Sequence, residues 1–561
     1  MTRRSGSKVV VEALTRAGVT TAWGYPGGAI MPLYDELLNS PVTHILTRHE
    51  QGAIHAADGY ARASGRLGVA IATSGPGATN LTTGICTAMM DSVPLLCLTG
   101  QVASPLIGTD GFQEADTFNI CTPITKQNYL VRSVDDLPRV LAEAIFIAQT
   151  GRPGPVLVDI PKDVLLGHTS EPLPDHVSVP GYEPSPRLNL AQVQKAHALL
   201  RASCRPVCIV GGGCRLADAV DEFREWCRRT QVPVVSTLMA LGCADPNYAG
   251  WLGMLGMHGL RQANRAVHEA DLVLGFGNRF DDRVTGATDR FAGQAKVVHI
   301  DIDAAELGKI IRVDVPVHAD LKSALTAWNE LLEREPIAPR SDWQKQASSY
   351  GTGLIRRERG EPGKVPPTEV LDELFSIIGS SAIVATDVGQ NQMWAAQRCR
   401  ADHPRKWITS GGAGTMGYGL PSAMGAQMAC PDTPVVAIVG DGGFQMTLAE
   451  MATIRRMNLP VKVLVMDNKY LGMVRQWQEM FFDRRYSAVD LSDNPDFAAL
   501  ARVYGFEAFT LSERTEIRGC LERWLSCKGP ALLHAICQAE ENVYPMVPAG
   551  ASLAEMVEAP Q

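Results

Sequence analysis

Short apolar runs that alternate with helical patterns are the feature that most constrains the fold of this chain. In the first third these runs are Gly68 to Thr73, Pro94 to Gly100 and Gly154 to Pro161. They have the length of strands and are bounded by glycine or proline, and amphipathic segments of helical period separate them. This order is typical of parallel sheets with helices on both faces. The sequence therefore predicts an α/β fold with doubly wound parallel sheets.

The same alternation continues through the remaining two thirds. Two polar, proline-containing stretches, Glu171 to Pro186 and about Glu335 to Pro367, interrupt it and are predicted to be linkers. Because 561 residues exceed what one hydrophobic core holds, we expect an N-terminal domain over residues 1–170, a central domain over 187–335, a C-terminal domain over 365–545 and a tail over 546–561. The first and last domains could share a fold. The further strand candidates are Pro206 to Gly213, Asp271 to Gly277, Lys296 to Asp303, Ser381 to Gly389, Pro434 to Phe444, Val461 to Asn468 and Ala531 to Cys537.

Composition narrows the class of function. The net charge is −8, so there is no basic excess to bind nucleic acid or an anionic membrane, and no apolar run approaches the length of a membrane-spanning helix. The thirteen cysteines are scattered without a CxxC pair, which favours buried thiols in a reducing compartment. The first residues show an amphipathic pattern instead of a signal peptide. We expect a cytoplasmic enzyme that acts on small molecules.

Glu50 stands at the junction between a strand end and an alanine-rich helix, in the stretch Thr47 to Gly65. One interpretation is a helix-start residue that interacts favourably with the positive end of the helix dipole. The other is a functional carboxylate, since a buried glutamate in so apolar a segment is costly unless a partner pairs with it.

The segment VGDGGFQMT carries the most specific chemical signal. A strand is predicted to end at Gly440, Asp441 follows, two glycines let a ligand approach the backbone, and a helix is expected to begin near Thr447. Asn468 follows the next strand. Because parallel strands end at the same sheet edge, the carboxylate and the amide should lie close together. Such oxygens, together with a diphosphate and a backbone carbonyl or water, are the ligands that magnesium prefers.

This spacing resembles the signature of thiamine diphosphate-dependent enzymes, a GDG followed by an Asn pair. Asp467 stands here where the family has the first Asn, but the family's metal ligand is the second, which Asn468 matches. In that family a Glu from another domain contacts the aminopyrimidine ring of the cofactor, and RHEQGA places Glu50 there. The resemblance implies the metal ligands Asp441, Asn468 and Tyr470. In the same family, Met416 matches the apolar wedge under the bent cofactor, and the alternative for Met416 is a plain core residue. The residues that the resemblance assigns to thiamine diphosphate binding are Gly27, Gly28, Gln390, Gly414, Met416, Gly442 and Gly443.

An ordered set of segments along nearly the whole chain narrows the resemblance. These segments include YPGGAIMPLYDEL, SGPGATNL, GTDGFQEAD, GRPGPVLVDIPKD, RFDDRVTG, LGMVRQWQ and VPAGASLAEM. Together they resemble the catalytic subunits of acetohydroxyacid synthases, also called acetolactate synthases. That family decarboxylates pyruvate and joins the remaining two carbons to pyruvate or 2-ketobutyrate in branched-chain amino acid biosynthesis. The resemblance further implies a homodimer or dimer of dimers, with each site shared between two chains, and a separate small regulatory subunit.

Five residues match family positions that contact the substrates. Arg279 matches the arginine that holds the carboxylate of the second ketoacid, for which a planar fork of donors is suited. Trp477 matches the residue that favours 2-ketobutyrate by apolar contact. Taken alone, Arg279 could be a surface ion-pair residue and Trp477 a core aromatic. The remaining three, which match positions lining the substrate pocket, are Phe112, Gln113 and Lys162.

The central domain resembles the FAD site of the biosynthetic members of that family. FAD would be structural there, without a net redox role. A related interpretation is an FAD-using pyruvate oxidase or another thiamine-dependent decarboxylase, and one from a different class is a non-catalytic flavin-binding scaffold. The glycine loop IVGGG is a weak signal alone, and a lone histidine is more often a packing residue. The positions that match the FAD site are Arg152, Gly212, Gly213, His258, Gly277, Asp281, Arg283, Asp301, Asp303 and Asp320.

Overall fold

Three six-stranded sheets organise the protein, and all strand pairs within them are parallel. The computed structural model describes residues 3–351 and 363–559. Helices cover the sheets, so the predicted α/β class with doubly wound parallel sheets is confirmed. Part of the second predicted linker, residues 352–362, lies outside the described residues, and the limits of the three domains stay predictions.

The first sheet has the strand order β3-β2-β4-β5-β7-β6, and β1 pairs separately with β8 in an antiparallel pair. Each sheet with its helices is called a unit below, and the strands of the first unit are β1 (Arg4–Ser5), β2 (Thr21–Gly24), β3 (Thr43–Leu46), β4 (Gly68–Ala72), β5 (Leu95–Gln101), β6 (Gln127–Leu130), β7 (Pro155–Pro161) and β8 (His168–Thr169). Its helices are α1 (Gly6–Arg16), α2 (Met31–Leu37), α3 (Glu50–Ser64), α4 (Pro76–Thr79), α5 (Thr82–Asp91), α6 (Thr117–Cys121), α7 (Leu137–Gln149) and α8 (Lys162–Leu166).

The second sheet has the order β11-β10-β9-β12-β13-β14. Its strands are β9 (Pro206–Val210), β10 (Val234–Ser236), β11 (Trp251–Met254), β12 (Leu272–Phe276), β13 (Lys296–Asp301) and β14 (Val315–His318). Its helices are α9 (Leu190–Ala202), α10 (Gly213–Leu216), α11 (Val220–Thr230), α12 (Arg261–His268), α13 (Asp282–Thr285), α14 (Leu321–Arg334) and α15 (Ser341–Ser349).

The third sheet has the order β16-β15-β17-β18-β20-β19. Its strands are β15 (Ile383–Thr386), β16 (Trp407–Ile408), β17 (Val435–Gly440), β18 (Lys462–Asp467), β19 (Glu507–Leu511) and β20 (Ala531–Ile536). Its helices are α16 (Pro367–Ile378), α17 (Gln390–Arg398), α18 (Gly419–Ala429), α19 (Asp441–Thr447), α20 (Met451–Arg456), α21 (Gly472–Phe481), α22 (Phe497–Val503) and α23 (Ile517–Leu525).

Strand order shows where each sheet can hold a ligand. The first and third sheets share one strand order, in which the direction of strand addition across the sheet reverses between β2 and β4 and between β15 and β17. In the second sheet the direction of strand addition reverses between β9 and β12, and this strand order is the one found in dinucleotide-binding sheets. In open α/β sheets ligands bind outside the strand carboxyl ends at such a reversal, because the connections diverge there and leave a crevice.

Two sequence predictions about local structure are wrong. Helix α15 lies inside the stretch predicted to be a linker, because Trp343 and Ala347, one turn apart, pack into the core of the second unit. Helix α19 begins at Asp441 and not near Thr447. The glycines after Asp441 let the helix approach β15 closely, since a Cβ at Gly443 would lie 2.2 Å from the Asp387 carboxylate.

The first and third units meet where α3 crosses α18. A Cβ added at Gly59 would lie 2.1 Å from the carbonyl oxygen of Ser422, and one at Gly425 would lie 1.9 Å from that of Ala56. Glycine at both positions therefore allows the two helix backbones to touch. This crossing belongs to a continuous hydrophobic core shared by the two units. Among the described helices, none combines the length and the apolar character needed to cross a membrane.

Candidate active site

Polar side chains meet at the carboxyl edge of the third sheet. Asp441 directly follows β17 and Asn468 directly follows the neighbouring strand β18, as the sequence predicts. They line a small cavity of about 70 Å³ together with Gln390, Gly442, Gly443 and Tyr470. The amide of Asn468 lies 3.3 Å from the Gln390 side-chain oxygen, and the Tyr470 backbone N–H donates to the Asn468 oxygen at 3.1 Å. The structure thus brings all six predicted residues of this edge together.

Two carboxyl groups that lie close together set the electrostatics of this edge. Burial raises the pKa of Asp441, and neighbouring Asp467 raises it further, to about 8. Burial also opposes ionisation of Asp467, but hydrogen bonds, first from His534 at 2.9 Å, outweigh it and lower the pKa of Asp467. Asn494 donates to both carboxyl groups, at 2.9 and 3.1 Å. A negative site with carboxylate and amide oxygens fits a hard divalent cation.

Gly414 and Met416 lie on a loop, residues 411–416, that connects β16 to α18. Gly414 has a φ of +62°, a conformation that favours glycine. Met416 lines the small cavity and also a larger one, and its Cε atom lies 3.5 Å from where a Cβ at Gly442 would sit. Met416 is only partly buried, so the alternative of a plain core residue does not describe it.

The larger cavity measures about 740 Å³ and lies at the reversal of the second sheet. Gly213, after β9, and Gly277, after β12, approach so closely that a Cβ at Gly213 would lie 2.7 Å from the Gly277 Cα. Twelve of the predicted residues line this cavity besides Met416: Arg152, Gly212, Gly213, His258, Gly277, Arg279, Asp281, Arg283, Asp301, Asp320, Gly414 and Trp477.

Arg152 reaches this cavity from the first unit. Its guanidinium pairs with Asp303 at 3.1 Å and with Glu306 at 2.8 Å, and it donates to the Ser92 hydroxyl at 2.8 Å. Asp303 is not among the lining residues, whereas Glu306, which the sequence analysis missed, is one of them. Its position behind the glycine turns depends on the fold of the 302–310 segment, for which the sequence carries no separate signal.

Burial shifts the pKa of ionisable groups that line this cavity. Burial lowers the pKa of His258 to about 4, with Arg283 contributing, so its imidazole is neutral at pH 7. Burial raises the pKa of Asp301 to about 6. Asp281 caps helix α13, accepting from the N–H groups of Arg283 and Val284 at 3.1 and 3.2 Å. The cavity therefore suits a large, partly apolar ligand with a few hydrogen-bonding groups.

The sequence left plainer interpretations open for Arg279, as a surface ion-pair residue, and for Trp477, as a core aromatic. Both residues line the larger cavity. Arg279 lies 3.5 Å from Asp281 and about a quarter of its side chain is exposed. It therefore forms an ion pair, but one at the cavity wall. Trp477 is half-buried, and its ring contacts only Phe481 edge-on among the aromatic side chains of the described residues. It is not a core aromatic.

A separate group of predicted residues lies at the carboxyl edge of the first sheet. Glu50 is 8% exposed, begins α3 and accepts from the Asn80 side chain at 3.0 Å. A Cβ at Gly27 would meet Thr73, while Gln113 lies against Gly75, and Phe112 is 89% exposed. None of the group lines either cavity of its own chain. Its members are Glu50, Gly27, Gly28, Phe112, Gln113 and Lys162.

The start of α3 is held by the third unit. The backbone N–H groups of Arg48 and His49 donate to the carboxylate of buried Glu450, at 2.9 and 3.1 Å. Glu450 thus binds the N–H groups at the start of α3, and the Glu50 side chain forms its hydrogen bond with Asn80 instead. Asn80 and Glu450 were not identified in the sequence analysis, since neither spacing nor a motif links residues so far apart in the chain.

Comparison with known proteins identifies the family. Three family models match: the N-terminal TPP binding domain of thiamine pyrophosphate enzymes over residues 4–120, their central domain over 193–328 and their C-terminal TPP binding domain over 387–535. The acetolactate synthase isozyme 2 large subunit of Escherichia coli is 46% identical over 99% of both chains. An acetolactate synthase of Mycobacterium bovis is 46% identical over 98% of this chain and 90% of its own. The acetolactate synthase large subunit of Lactococcus lactis is 44% identical over 99% of this chain and 96% of its own. The chain therefore belongs to the thiamine pyrophosphate enzyme family and, within it, to the acetolactate synthases.

Proposed function

We propose that this protein is the catalytic subunit of an acetolactate synthase. It decarboxylates pyruvate and joins the remaining two carbons to pyruvate or 2-ketobutyrate, giving 2-acetolactate or 2-aceto-2-hydroxybutyrate for valine, leucine and isoleucine synthesis. The observation that carries the proposal is the position of Met416. Its side chain lines both the small cavity with Asp441 and Asn468 and the larger cavity with Arg279 and Trp477, so the cofactor residues and the ketoacid residues adjoin one side chain.

The edge of the third sheet would hold thiamine diphosphate and Mg²⁺. Asp441, Asn468 and the carbonyl of Tyr470 would be metal ligands, and Gln390 with the backbone at Gly442 and Gly443 would bind the diphosphate. When bound, thiamine diphosphate would supply a nucleophilic ring carbon for the ketoacid carbonyl and a positively charged ring that takes up the electron pair left when carbon dioxide departs. Burial and the neighbouring Asp467 raise the pKa of Asp441, so ionised Asp441 lacks a positive partner at this edge, which supports a cation site here.

Glu50 would exchange a proton with the pyrimidine ring of the cofactor. The buried carboxyl has Asn80 as its only side-chain donor among the described residues, which leaves one oxygen for a ligand. Because Glu50 does not line the cavity of Asp441 in its own chain, we infer a dimer in which one chain contributes Glu50 and the other the metal ligands. Gly27 and Gly28 would lie beside the ring.

The ketoacids would bind between Met416 and the wall of the larger cavity. Arg279 would hold the carboxylate of the acceptor through its guanidinium fork, and Trp477 would contact the extra methyl of 2-ketobutyrate. Phe112, Gln113 and Lys162 would complete the pocket from the partner chain. High exposure of Phe112 in the single chain supports this assignment, since a large aromatic side chain at an enzyme surface favours a covered position in the assembly.

FAD would occupy the cavity of the central unit. The strand order, the paired glycine turns and a cavity of about 740 Å³ suit a dinucleotide, and Arg152 with Asp301 and His258 would contact it. The reaction consumes two ketoacids and releases carbon dioxide without a net transfer of electrons, so FAD would be structural. An FAD-using pyruvate oxidase would instead reduce and reoxidise it.

Two further proposals concern a partner subunit and the location of the protein in the cell. The relatives from E. coli and L. lactis are named large subunits, which supports a separate small regulatory subunit for this protein as well. All thirteen cysteines are unpaired, which supports a reducing, cytoplasmic location.

Product analysis tests the function. The purified protein is incubated with pyruvate, with thiamine diphosphate, Mg²⁺ and FAD added or left out one at a time. Acetolactate is measured as acetoin by a colorimetric assay while an electrode follows oxygen. Acetolactate without stoichiometric oxygen uptake is expected. Acetate or acetyl phosphate with hydrogen peroxide would identify an oxidase, and no cofactor-dependent turnover would indicate a flavin-binding scaffold.

A further inference from the structure

Asp91, the last residue of α5, lies where the three units meet. Its side chain is completely buried, and the segment Met90–Ser92 lines the larger cavity. The carboxylate of Asp91 accepts the backbone N–H of Gly411 at 3.0 Å and that of Gly412 at 2.8 Å. A residue of the first unit therefore binds the beginning of the loop 411–416, which belongs to the third unit.

An arginine fixes Asp91 in this orientation. Arg62 donates to Asp91 at 2.9 Å, to Asp58 at 2.6 Å and to the carbonyl of Thr409 at 2.9 Å. The Arg62 side chain is almost completely buried, so these contacts are protected from water. Hydrogen bonds between charged groups and backbone N–H groups are strong in such surroundings. Asp91 thus presents a rigid pair of acceptors to the loop.

The loop is held at both ends and open in the middle. One turn before Asp91 on α5, the hydroxyl of Thr87 contacts that of Thr415 at 2.6 Å. At the other end Asp387 accepts the N–H groups of Gly417 and Gly419, at 3.0 and 2.9 Å. Gly414 lies between these anchors and is exposed. Asp387 belongs to the same unit as the loop, whereas Asp91 reaches residues 411 and 412 from the first unit.

We propose that Asp91 is a positioning residue for thiamine diphosphate. By holding Gly411 and Gly412 it keeps the Gly414 carbonyl and the Met416 side chain in place for the ring half of the cofactor before the cofactor binds. This inference rests on the proposed function and on the family resemblance, which implies that Gly414 and Met416 bind the cofactor and that Met416 lies under its bend. A preformed loop improves affinity because binding then does not have to order it.

The test compares two ligands that use different parts of the site. Asp91→Asn turns one acceptor into a donor that faces a backbone N–H. Dissociation constants are measured by calorimetry for thiamine diphosphate and for inorganic pyrophosphate, each with saturating Mg²⁺ and without substrate. We expect thiamine diphosphate to bind about 10- to 100-fold more weakly, as for loss of a hydrogen bond to a charged group. Pyrophosphate, which uses only the edge with Asp441 and Asn468, should bind as in the wild type.

Asp58→Asn is the matched control. Asp58 is as buried as Asp91 and pairs with the same guanidinium, but it makes no contact with Gly411 or Gly412 and accepts instead from the hydroxyl of Tyr418, which follows the loop. Both variants should lower thermal stability, whereas only Asp91→Asn should weaken thiamine diphosphate selectively. Thr87→Val, which keeps shape and removes the contact with Thr415, should give a smaller loss for thiamine diphosphate, again without affecting pyrophosphate.

Four results would overturn the inference. Unchanged thiamine diphosphate affinity in Asp91→Asn would show that the loop does not depend on this anchor. An equal loss for thiamine diphosphate and pyrophosphate, or an equal selective loss in Asp58→Asn, would show a general structural effect. Wild-type protein that binds pyrophosphate but no thiamine diphosphate would refute the proposed function itself, and this inference with it.

Discussion

Replacement of Gly425 by alanine tests the contact between α3 and α18. The added Cβ would lie 1.9 Å from the carbonyl oxygen of Ala56 and 2.8 Å from the backbone nitrogen of Tyr60. Both obstructing atoms belong to helix backbone and cannot rotate away, so the helices must separate by about 1 Å. Alanine gains about 1 kcal/mol over glycine in a helix, but overpacking costs about 3 kcal/mol where no side chain can yield. We expect a net loss of about 2 kcal/mol in the free energy of unfolding.

The same change should reduce activity in protein that remains folded. Ala56 and Tyr60 lie in the helix that begins at Glu50, so a separation of the helices moves that carboxyl group. A displacement of about 1 Å in a catalytic constellation costs on the order of 10²-fold in rate. Acetolactate formation per folded molecule should therefore fall by about one to two orders of magnitude.

Gly519→Ala is the matched control, since Gly519 is also helical but its added Cβ meets only the Arg523 side chain at 3.5 Å. Its stability should rise by about 0.5 kcal/mol, with activity unchanged. Urea denaturation followed by tryptophan fluorescence gives the stabilities. A Gly425→Ala protein that unfolds at the wild-type urea concentration or above would refute the close contact of the helices.

Three further predictions concern single side chains. Glu50→Gln should lower turnover by about 10² to 10⁴, because an amide cannot exchange a proton with the cofactor, while the fold and FAD binding, measured by flavin fluorescence, persist; unchanged turnover would return Glu50 to the helix-start interpretation. Arg279→Lys should raise the KM of the acceptor ketoacid more than the Kd of thiamine diphosphate and increase acetaldehyde release, since a point charge replaces a bidentate fork; an unaltered acceptor KM would contradict the assignment. Burial raises the pKa of the Asp159 carboxyl from 3.8 to about 7. Its contribution to stability is therefore complete below about pH 4 and is lost, by about 4 kcal/mol in all, as the pH rises to about 7. The difference in unfolding free energy between wild type and Asp159→Asn, from urea midpoints, should follow that window, and a constant difference would exclude the raised pKa.

The sheet edges could be predicted from the sequence because each prediction needed only local information. The VGDGG segment marks a strand end, and parallel strands place successive ends together, so Asp441 and Asn468 meet as expected. The glycine turns after β9 and β12 were identified from the family resemblance, because the loop IVGGG alone is a weak signal. The ten residues assigned to the FAD site, nine of which line the larger cavity, were also grouped by the family resemblance, since no spacing rule joins Arg152 to Asp301.

Contacts between distant parts of the chain could not be predicted. Asn494 joins Asp441 to Asp467, Glu450 holds the start of α3, and Asp91 holds the loop 411–416. Each partner is fixed by packing of whole elements, and an isolated Asn, Glu or Asp in a sequence gives no indication of it. The start of α19 was misplaced for a related reason. Two glycines normally disfavour a helix, but here they permit the close approach of Gly443 to Asp387.

Subunit mixing tests most directly the claim that each active site combines Glu50 of one chain with Asp441 and Asn468 of another. Glu50→Ala and Asp441→Ala proteins, each inactive alone, are mixed in equal amounts and allowed to exchange, with exchange verified by differential labelling. Half of the dimers should then be mixed, each with one intact and one doubly altered site, so acetolactate formation should recover to about a quarter of the wild-type rate. If exchange is complete and no activity returns, both residues serve a site within one chain and the shared site is wrong.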